Sequence, residues 1–412
     1  MKIRIINILL LFVISGTAIG QSIDDYLLIA AKNNPNLKAK YLQYLAALER
    51  VPQVGSLPDP QLGFSFFIEP MERYMGDQVA TISLMQMFPW FGTLDAAQNE
   101  MTYMARAKFE AFNEAKSMLF YEVRVNWYAL QLLENEIAIT KENIELLKIM
   151  EQVAITKFKS GDQRGGMIDV LRVQMEMNEL QNNLSLLEDS KIPIIARFNQ
   201  LLNRDRNEPV IVSDTILAAS MAISLTEIPD SIKNNNPMLK MLEQKEAAYI
   251  AQGKMNQKMG LPMIGVGLQY DIFRPRAHSE SMMNGRNMLM PMVSVTIPLW
   301  RRKYTASVKE SDFMRQSVVA QKQDVSSQLM VNYEDALEDY KDANRRVKLY
   351  QAQTSLANQA LNILIVQYTT EGINFEEVLR MHQQLFDYRL KYLDALIDGN
   401  IAMSMFQRLM GR

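Results

Sequence analysis

The chain has 412 residues, 48% of them hydrophobic and 22% charged, and its 44 Lys plus Arg against 46 Asp plus Glu leave a net charge of −2. That balance gives no electrostatic support for non-specific nucleic-acid binding. A mean hydropathy of −0.12, with the one long apolar run at the N-terminus, excludes a polytopic helical membrane protein. The absence of cysteine removes disulfides, thiol nucleophiles, zinc–thiolate sites and iron–sulfur clusters, and also the N-terminal Cys that a lipid anchor needs.

Residues 1–20 read as a cleavable signal peptide. Lys2 and Arg4 precede the apolar run 5–14, and Ala18 and Gly20 supply the small residues a signal peptidase reads. The chain after it contains one unit twice. Asn34-Pro35-Asn36-Leu37-Lys38 returns as Asn236-Pro237-Met238-Leu239-Lys240, and Pro60-Gln61-Leu62-Gly63-Phe64 as Pro262-Met263-Ile264-Gly265-Val266. Ile82-Ser83-Leu84 before Phe88-Pro89-Trp90 returns as Val293-Ser294-Val295 before Ile297-Pro298-Leu299. Gly161 followed by Asp169-Val170-Leu171-Arg172 returns as Gly372 followed by Glu377-Val378-Leu379-Arg380. Each unit reads as helix, strand, strand, long helix, long helix. The first repeat covers 21–205, a linker 206–230, and the second repeat 231–412.

Strands are predicted at 62–68, 80–88, 264–272 and 293–299. Leu62, Phe64, Phe66 and Ile68 alternate with Gly63 and Ser65, with Phe67 breaking the pattern, as do Val266 and Leu268 with Gly265 and Gly267, and Val293 and Val295 with Ser294 and Thr296. Polar loops at 69–78 and 274–287 make these two hairpins with long connections. Helices are predicted at 93–160 and 304–371, both free of Pro and Gly, with partners at 167–203, interrupted late by Pro193, and at 374–407. Val173, Met177, Leu180, Leu184 and Leu187 step in coiled-coil spacing. So do Leu329, Tyr333, Ala336, Tyr340, Ala343, Val347 and Tyr350, and Met381, Leu385, Tyr388, Tyr392 and Ala395. Such narrow stripes bury a seam within a pair of antiparallel helices and leave no apolar layer to cover the strands.

Strands that alternate apolar with small polar residues, with nothing to cover them, fit a membrane β-barrel with lipid outside and water inside. Trp90 and Trp300 at the strand exits fit an interfacial aromatic girdle or a packed strand–helix junction. Four strands cannot close a barrel and eight-stranded barrels are filled with side chains, so three copies, giving twelve strands, are the smallest multiple above eight. The fold class is therefore mainly α with a membrane β-barrel: long coiled-coil helical hairpins plus four strands per chain, closed as a trimeric α/β barrel.

At this point the chain resembles the TolC-type outer-membrane efflux proteins over essentially its whole mature length. Ser56-Leu57-Pro58-Asp59-Pro60, Gln86-Met87-Phe88-Pro89-Trp90-Phe91-Gly92 and Asp169-Val170-Leu171-Arg172 carry the likeness. They look most like members found beside heavy-metal and multidrug pumps in Bacteroidetes-type bacteria. The resemblance implies a homotrimer with a twelve-stranded barrel in the outer membrane and a helical tunnel in the periplasm. It also implies a tripartite pump, with a periplasmic adaptor and an inner-membrane transporter as partners. Lipidated members carry a Cys that this chain lacks.

No catalytic constellation is visible, so the expectation is a protein that is not an enzyme and carries no cofactor. Gly161, Asp162, Asp169, Glu371, Gly372, Glu376 and Glu377 gather at the two helical turns. Brought together by three chains, the carboxylates would form an acidic entrance favouring cations. Alternatively they are solvated helix ends that complement the dipole. In the family the tips close the tunnel and meet the adaptor. Met282, Met283, Met288 and Met290, near Met292 and His278, form a possible soft-metal mouth for Cu(I) or Ag(I), or serve as adaptable apolar residues. The functional expectation is a passive exit duct for small molecules or metal ions. A non-transporting periplasmic coiled-coil scaffold is the alternative.

Overall fold

A computed structural model describes residues 22–159, 167–212, 216, 218, 224–278, 280–370 and 374–412. The expected signal segment at 1–20 lies outside them. The first repeat comprises α1 (Ile23–Asn33), α2 (Pro35–Gly55), β1 (Gln61–Arg73), β2 (Gly76–Phe88), α3 (Thr93–Lys159) and α4 (Met167–Leu202). The second comprises α5 (Ile228–Asn235), α6 (Pro237–Met259), β3 (Met263–Arg274), β4 (Met288–Thr296), α7 (Arg301–Thr370) and α8 (Phe375–Leu409). The duplicated order matches the sequence reading, with one correction. Each unit opens with two helices, because Asn-Pro ends one helix and starts the next. Asn34 Oδ1 accepts the Leu37 amide at 3.0 Å, and Asn236 Oδ1 accepts the Met238 amide at 2.9 Å. Pro follows at the first helical position, where its missing N–H costs nothing.

The same two asparagines join the helices end to end. Asn34 Nδ2 donates to the Leu201 carbonyl at 3.0 Å, and Asn236 Nδ2 donates to the Leu409 carbonyl at 2.9 Å. The last turns of α4 and α8 thus meet the starts of α2 and α6. At about 1.5 Å per residue, the 67 residues of α3 span about 100 Å. α3 packs on α2 and α6 in its sheet-proximal half and on α4 beyond, and α7 packs on α6 and then on α8. Contrary to expectation, Pro193 does not interrupt α4. A helix packed along one side tolerates the single hydrogen bond a proline removes.

Among the described residues three cores hold this frame. Tyr26, Trp127 and Phe198 centre one, with Tyr26 5.2 Å from Trp127 and 5.1 Å from Phe198 between ring centroids. Ile228, Ile232, Tyr333 and Phe406 form its counterpart in the second repeat. The third, at the far end, joins Leu147 and Val173 of the first hairpin to Tyr368 and Phe375 of the second. Every expected seam residue on α4, α7 and α8 is buried or half-buried.

The four strands form one antiparallel sheet in the order β1-β2-β3-β4, with β1 and β4 at its edges. The first hairpin corrects the expected long loop at 69–78. β1 and β2 continue through it and close tightly at Arg73 opposite Gly76, whose φ of 115° only glycine adopts freely. A register shift between Phe66 and Met71 lets the ribbon twist onward past the apolar stretch. The second hairpin keeps its long connection. Arg276 ties the two together, its Nε donating to Asp77 Oδ1 at 2.8 Å and its guanidinium to the Arg73 carbonyl at 2.9 Å. β4 begins at Met288 and ends at Thr296, so Ile297 and Leu299 lie beyond the sheet and are exposed.

Candidate functional site

Paired residues of an antiparallel sheet share a face, so the register sorts the side chains directly. One face carries Phe64, Ile82, Tyr270 and Leu289 across the four strands, then Leu84, Leu268 and Pro291, then Val266 and Val293. The other carries Ser65, Thr81, Asp271 and Met288, then Met85, Gly267 and Met292, then Met87, Gly265 and Ser294. The expected division of Phe64, Phe66, Val266, Leu268, Val293 and Val295 from Ser65, Gly265, Gly267, Ser294 and Thr296 is the one observed.

Burial on this sheet is inverted relative to a water-soluble fold. Val266 is 51% exposed and Leu268 49%, whereas Asp271 is 3% exposed. Thr81 Oγ1 donates to Asp271 Oδ1 at 2.7 Å, and Gln269 Nε2 donates to the same oxygen at 2.9 Å. The polar face therefore satisfies its own groups, while the apolar face has no covering layer. Among the described residues no helix is long and apolar enough to cross a membrane.

No family model and no curated protein matches the sequence. Solved structures do. The chain superposes on CusC, described through its transmembrane channel formation, with a TM-score of 0.77 at 14% identity, covering 95% of this chain and 92% of that one. It has the TolC-type fold. The outer-membrane protein VceC from Vibrio cholerae matches it with a TM-score of 0.74 at 14% identity over 94% of this chain and 96% of that one. The CmeC outer-membrane channel of Campylobacter jejuni gives 0.73 at 12% over 94% and 85%.

In this TolC-type frame the junction between sheet and helices holds the two tryptophans. Trp90 packs edge-on against Phe91 with centroids 6.2 Å apart, beside a groove of about 410 Å³ lined by Leu57, Phe88, Leu94 and Ile264. Trp300 is 83% exposed and is followed by Arg301, Arg302 and Lys303, all exposed in the first turn of α7. Cations there oppose the helix dipole, so the helix itself gains nothing from them. Just below the junction lies a polar network that the sequence reading missed. Gln252 Nε2 donates to the buried Glu100 at 2.9 Å, Ser311 Oγ to Gln252 Oε1 at 3.1 Å, and Asn256 Nδ2 to Ser311 Oγ at 2.9 Å. Burial pushes the Glu100 carboxyl above its usual range. Its members come from α3, α6 and α7, and no local motif marks such a contact.

At the far end, Gly161, Asp162, Glu371 and Gly372 lie outside the described residues. Asp169, in the first turn of α4, is buried, and desolvation raises its carboxyl above the usual range. Glu376 and Glu377 stand in the first turn of α8 behind the cap Asn374, and Glu376 lies 3.2 Å from Arg172. The structure thus brings Arg172 and Glu376 together across the two hairpins and leaves Asp169 inside. Further along α8 His382, 2% exposed, has neither ring nitrogen hydrogen-bonded, and burial lowers it to about 4.

The methionines divide. Met282, 95% exposed, and Met283 stay on the loop, while Met288 and Met290 belong to the polar face of β4. Met85 and Met87 lie within β2.

Proposed function

We propose that the protein is the outer-membrane exit duct of a tripartite efflux system, a passive channel for small molecules or metal ions. The observation that carries this reading is the inverted sheet: its exposed Ile, Val, Leu and Phe suit lipid, and its Gly, Ser, Thr and Asp suit water. Its two free edges, on β1 and β4, support closure by further copies, and three copies give twelve strands. The likeness to outer-membrane channels supports the location. In this reading Trp90 and Trp300 lie at the periplasmic rim of the bilayer. The paired helices form a periplasmic tunnel, and a periplasmic adaptor grips their tips beneath an inner-membrane pump. The carboxylates Asp162, Glu371, Glu376 and Glu377 give that entrance a preference for cations, and the buried Asp169 takes no part in it. The signal peptide is removed on export, and no lipid is attached.

Membrane fractionation and planar-bilayer recording test the reading together. The protein is expected in the outer membrane as a heat-sensitive oligomer with steady ohmic conductance. Recovery as a soluble periplasmic monomer ends the proposal and leaves the scaffold alternative.

A further inference from the structure

Methionine is distributed on the sheet with a strict bias. Among the paired positions of β2, β3 and β4, Met85, Met87, Met263, Met288, Met290 and Met292 all fall on the polar face. The apolar face of the same strands carries Ile, Leu, Val, Phe and Tyr, with Ala80, Gln86 and Pro291, and holds no methionine at a paired position. A chain that used methionine merely as an adaptable apolar residue would show it where apolar residues are wanted. Here thioethers stand among Gly, Ser, Thr and Asp instead.

Within that face the sulfurs of Met85 and Met87 converge over glycine, and strand register places Met292 on the other side of Gly267. Met85 and Met292 flank Gly267 on its two sides, and Met87 and Ser294 flank Gly265. A Cβ added to Gly265 would lie 2.7 Å from Met87 Sδ and 3.1 Å from Met85 Sδ, and one added to Gly267 would lie 3.1 Å from Met85 Sδ. The missing side chains thus leave the space that the two sulfurs occupy. Ser294 Oγ lies 3.7 Å from Met85 Sδ and 3.9 Å from Met87 Sδ, fixing both next to a third polar atom. Neutral thioethers select soft monovalent cations over hard ones such as Mg(II) or Ca(II).

We propose that Met85, Met87 and Met292 form a thioether site on the polar face of the sheet that takes Cu(I) or Ag(I). Service to a cation in transit rests on the duct reading above, whereas binding itself does not. Three neutral ligands hold the ion without adding charge, which keeps it exchangeable along the face, and Met290 in the adjoining row offers the next sulfur.

The test uses the purified full chain in detergent with silver nitrate in chloride-free buffer. Titration calorimetry is compared with the triple variant M85L/M87L/M292L, in which Leu conserves volume and apolar character. Losing the ligands themselves should weaken Ag(I) binding by at least the roughly tenfold that even an outer-shell change costs a metal site. A control, M282L/M283L, should bind as the wild type does. In the unmodified protein, Ag(I) should slow peroxide oxidation to the sulfoxide at Met85, Met87 and Met292 but not at Met282. Equal affinity in the triple variant, or equal oxidation with and without Ag(I), overturns the site. Bilayer conductance separates the two readings: a conducting protein that binds no Ag(I) ends the site and keeps the duct, and a binding protein that never conducts ends the duct and keeps the site.

Discussion

The helices and the sheet place the same residue types on opposite sides of their surfaces. Along α3, α4 and α8, Leu130, Leu147, Phe198 and Phe406 are buried, and most charged residues, Glu100 and Asp169 excepted, are not. Across the strands, Phe64, Phe66, Leu268 and Val293 are exposed, while Gly265, Gly267 and Asp271 are covered. An apolar surface of this extent is unusual on a protein surrounded only by water. One chain therefore carries two burial rules, and the change of rule falls at Pro89-Trp90 and Pro298-Leu299-Trp300. What teaches this is the combination of period and burial: a 3.5-residue stripe that is buried, and a two-residue alternation that is exposed.

Phe198→Ala strikes the helical rule at its best-packed point, against Tyr26 and Trp127, and should cost about 3–5 kcal/mol. Phe66→Ala, on the exposed face, should leave the detergent-solubilised protein's thermal midpoint almost unmoved, since detergent replaces the lost contact. Parallel melts of the two variants check this, and equal shifts would break the comparison. Leu268→Arg tests the sheet rule and should impair membrane insertion by about 2–4 kcal/mol near the midplane, whereas Ser294→Arg should assemble normally and alter conductance. Outer-membrane yield and single-channel recording read these two outcomes.

His382 sharpens the helical side through pH. Burial holds it at about 4, below the usual histidine value of 6.5, so the folded state binds fewer protons. Stability is therefore full above the unfolded value and is lost as pH falls from about 6.5 to about 4, by about 3 kcal/mol at most. His382→Leu should flatten that acid limb in urea melts followed between pH 7 and 4. The smallest effect concerns the joints. Asn236→Ala and Asn34→Ala should each cost about 1 kcal/mol. Each loss orphans a carbonyl, and Asn236 should cost more because its bond to the Leu409 carbonyl is buried whereas that of Asn34 to the Leu201 carbonyl is only part-buried. Hydrogen exchange in the last turns of α4 and α8 measures it.

Much of this frame was legible because periodicity is a local property. The seams on α4, α7 and α8 and the two faces of the strands follow from residue spacing alone. The tight first hairpin did not, since Glu69, Pro70, Glu72 and Asp77 read as loop residues, whereas they extend the ribbon beyond its apolar stretch. The Asn-Pro pairs marked the repeat, yet their part as helix boundaries depends on contacts with Leu201 and Leu409, far away in sequence. The methionines were grouped by nearness along the chain. Their real neighbours are set by strand register, which a Gly-rich strand specifies weakly. His382 and Glu100 likewise owe their burial to helices that pack on them from distant segments.

The end-to-end helix joints also determine how force travels through the molecule. α3 and α7 are unbroken rods from the sheet to the tips, so a pull on either tip is delivered undiminished to Thr93 and Arg301. α4 and α8 instead stop at mid-length, each bridged to the next helix by a side-chain amide from Asn34 or Asn236. Under load, a single hydrogen bond yields long before a continuous helix does. Displacement of α4 or α8 is thus taken up first at these joints, at the molecule's waist, whereas displacement of α3 or α7 reaches the sheet.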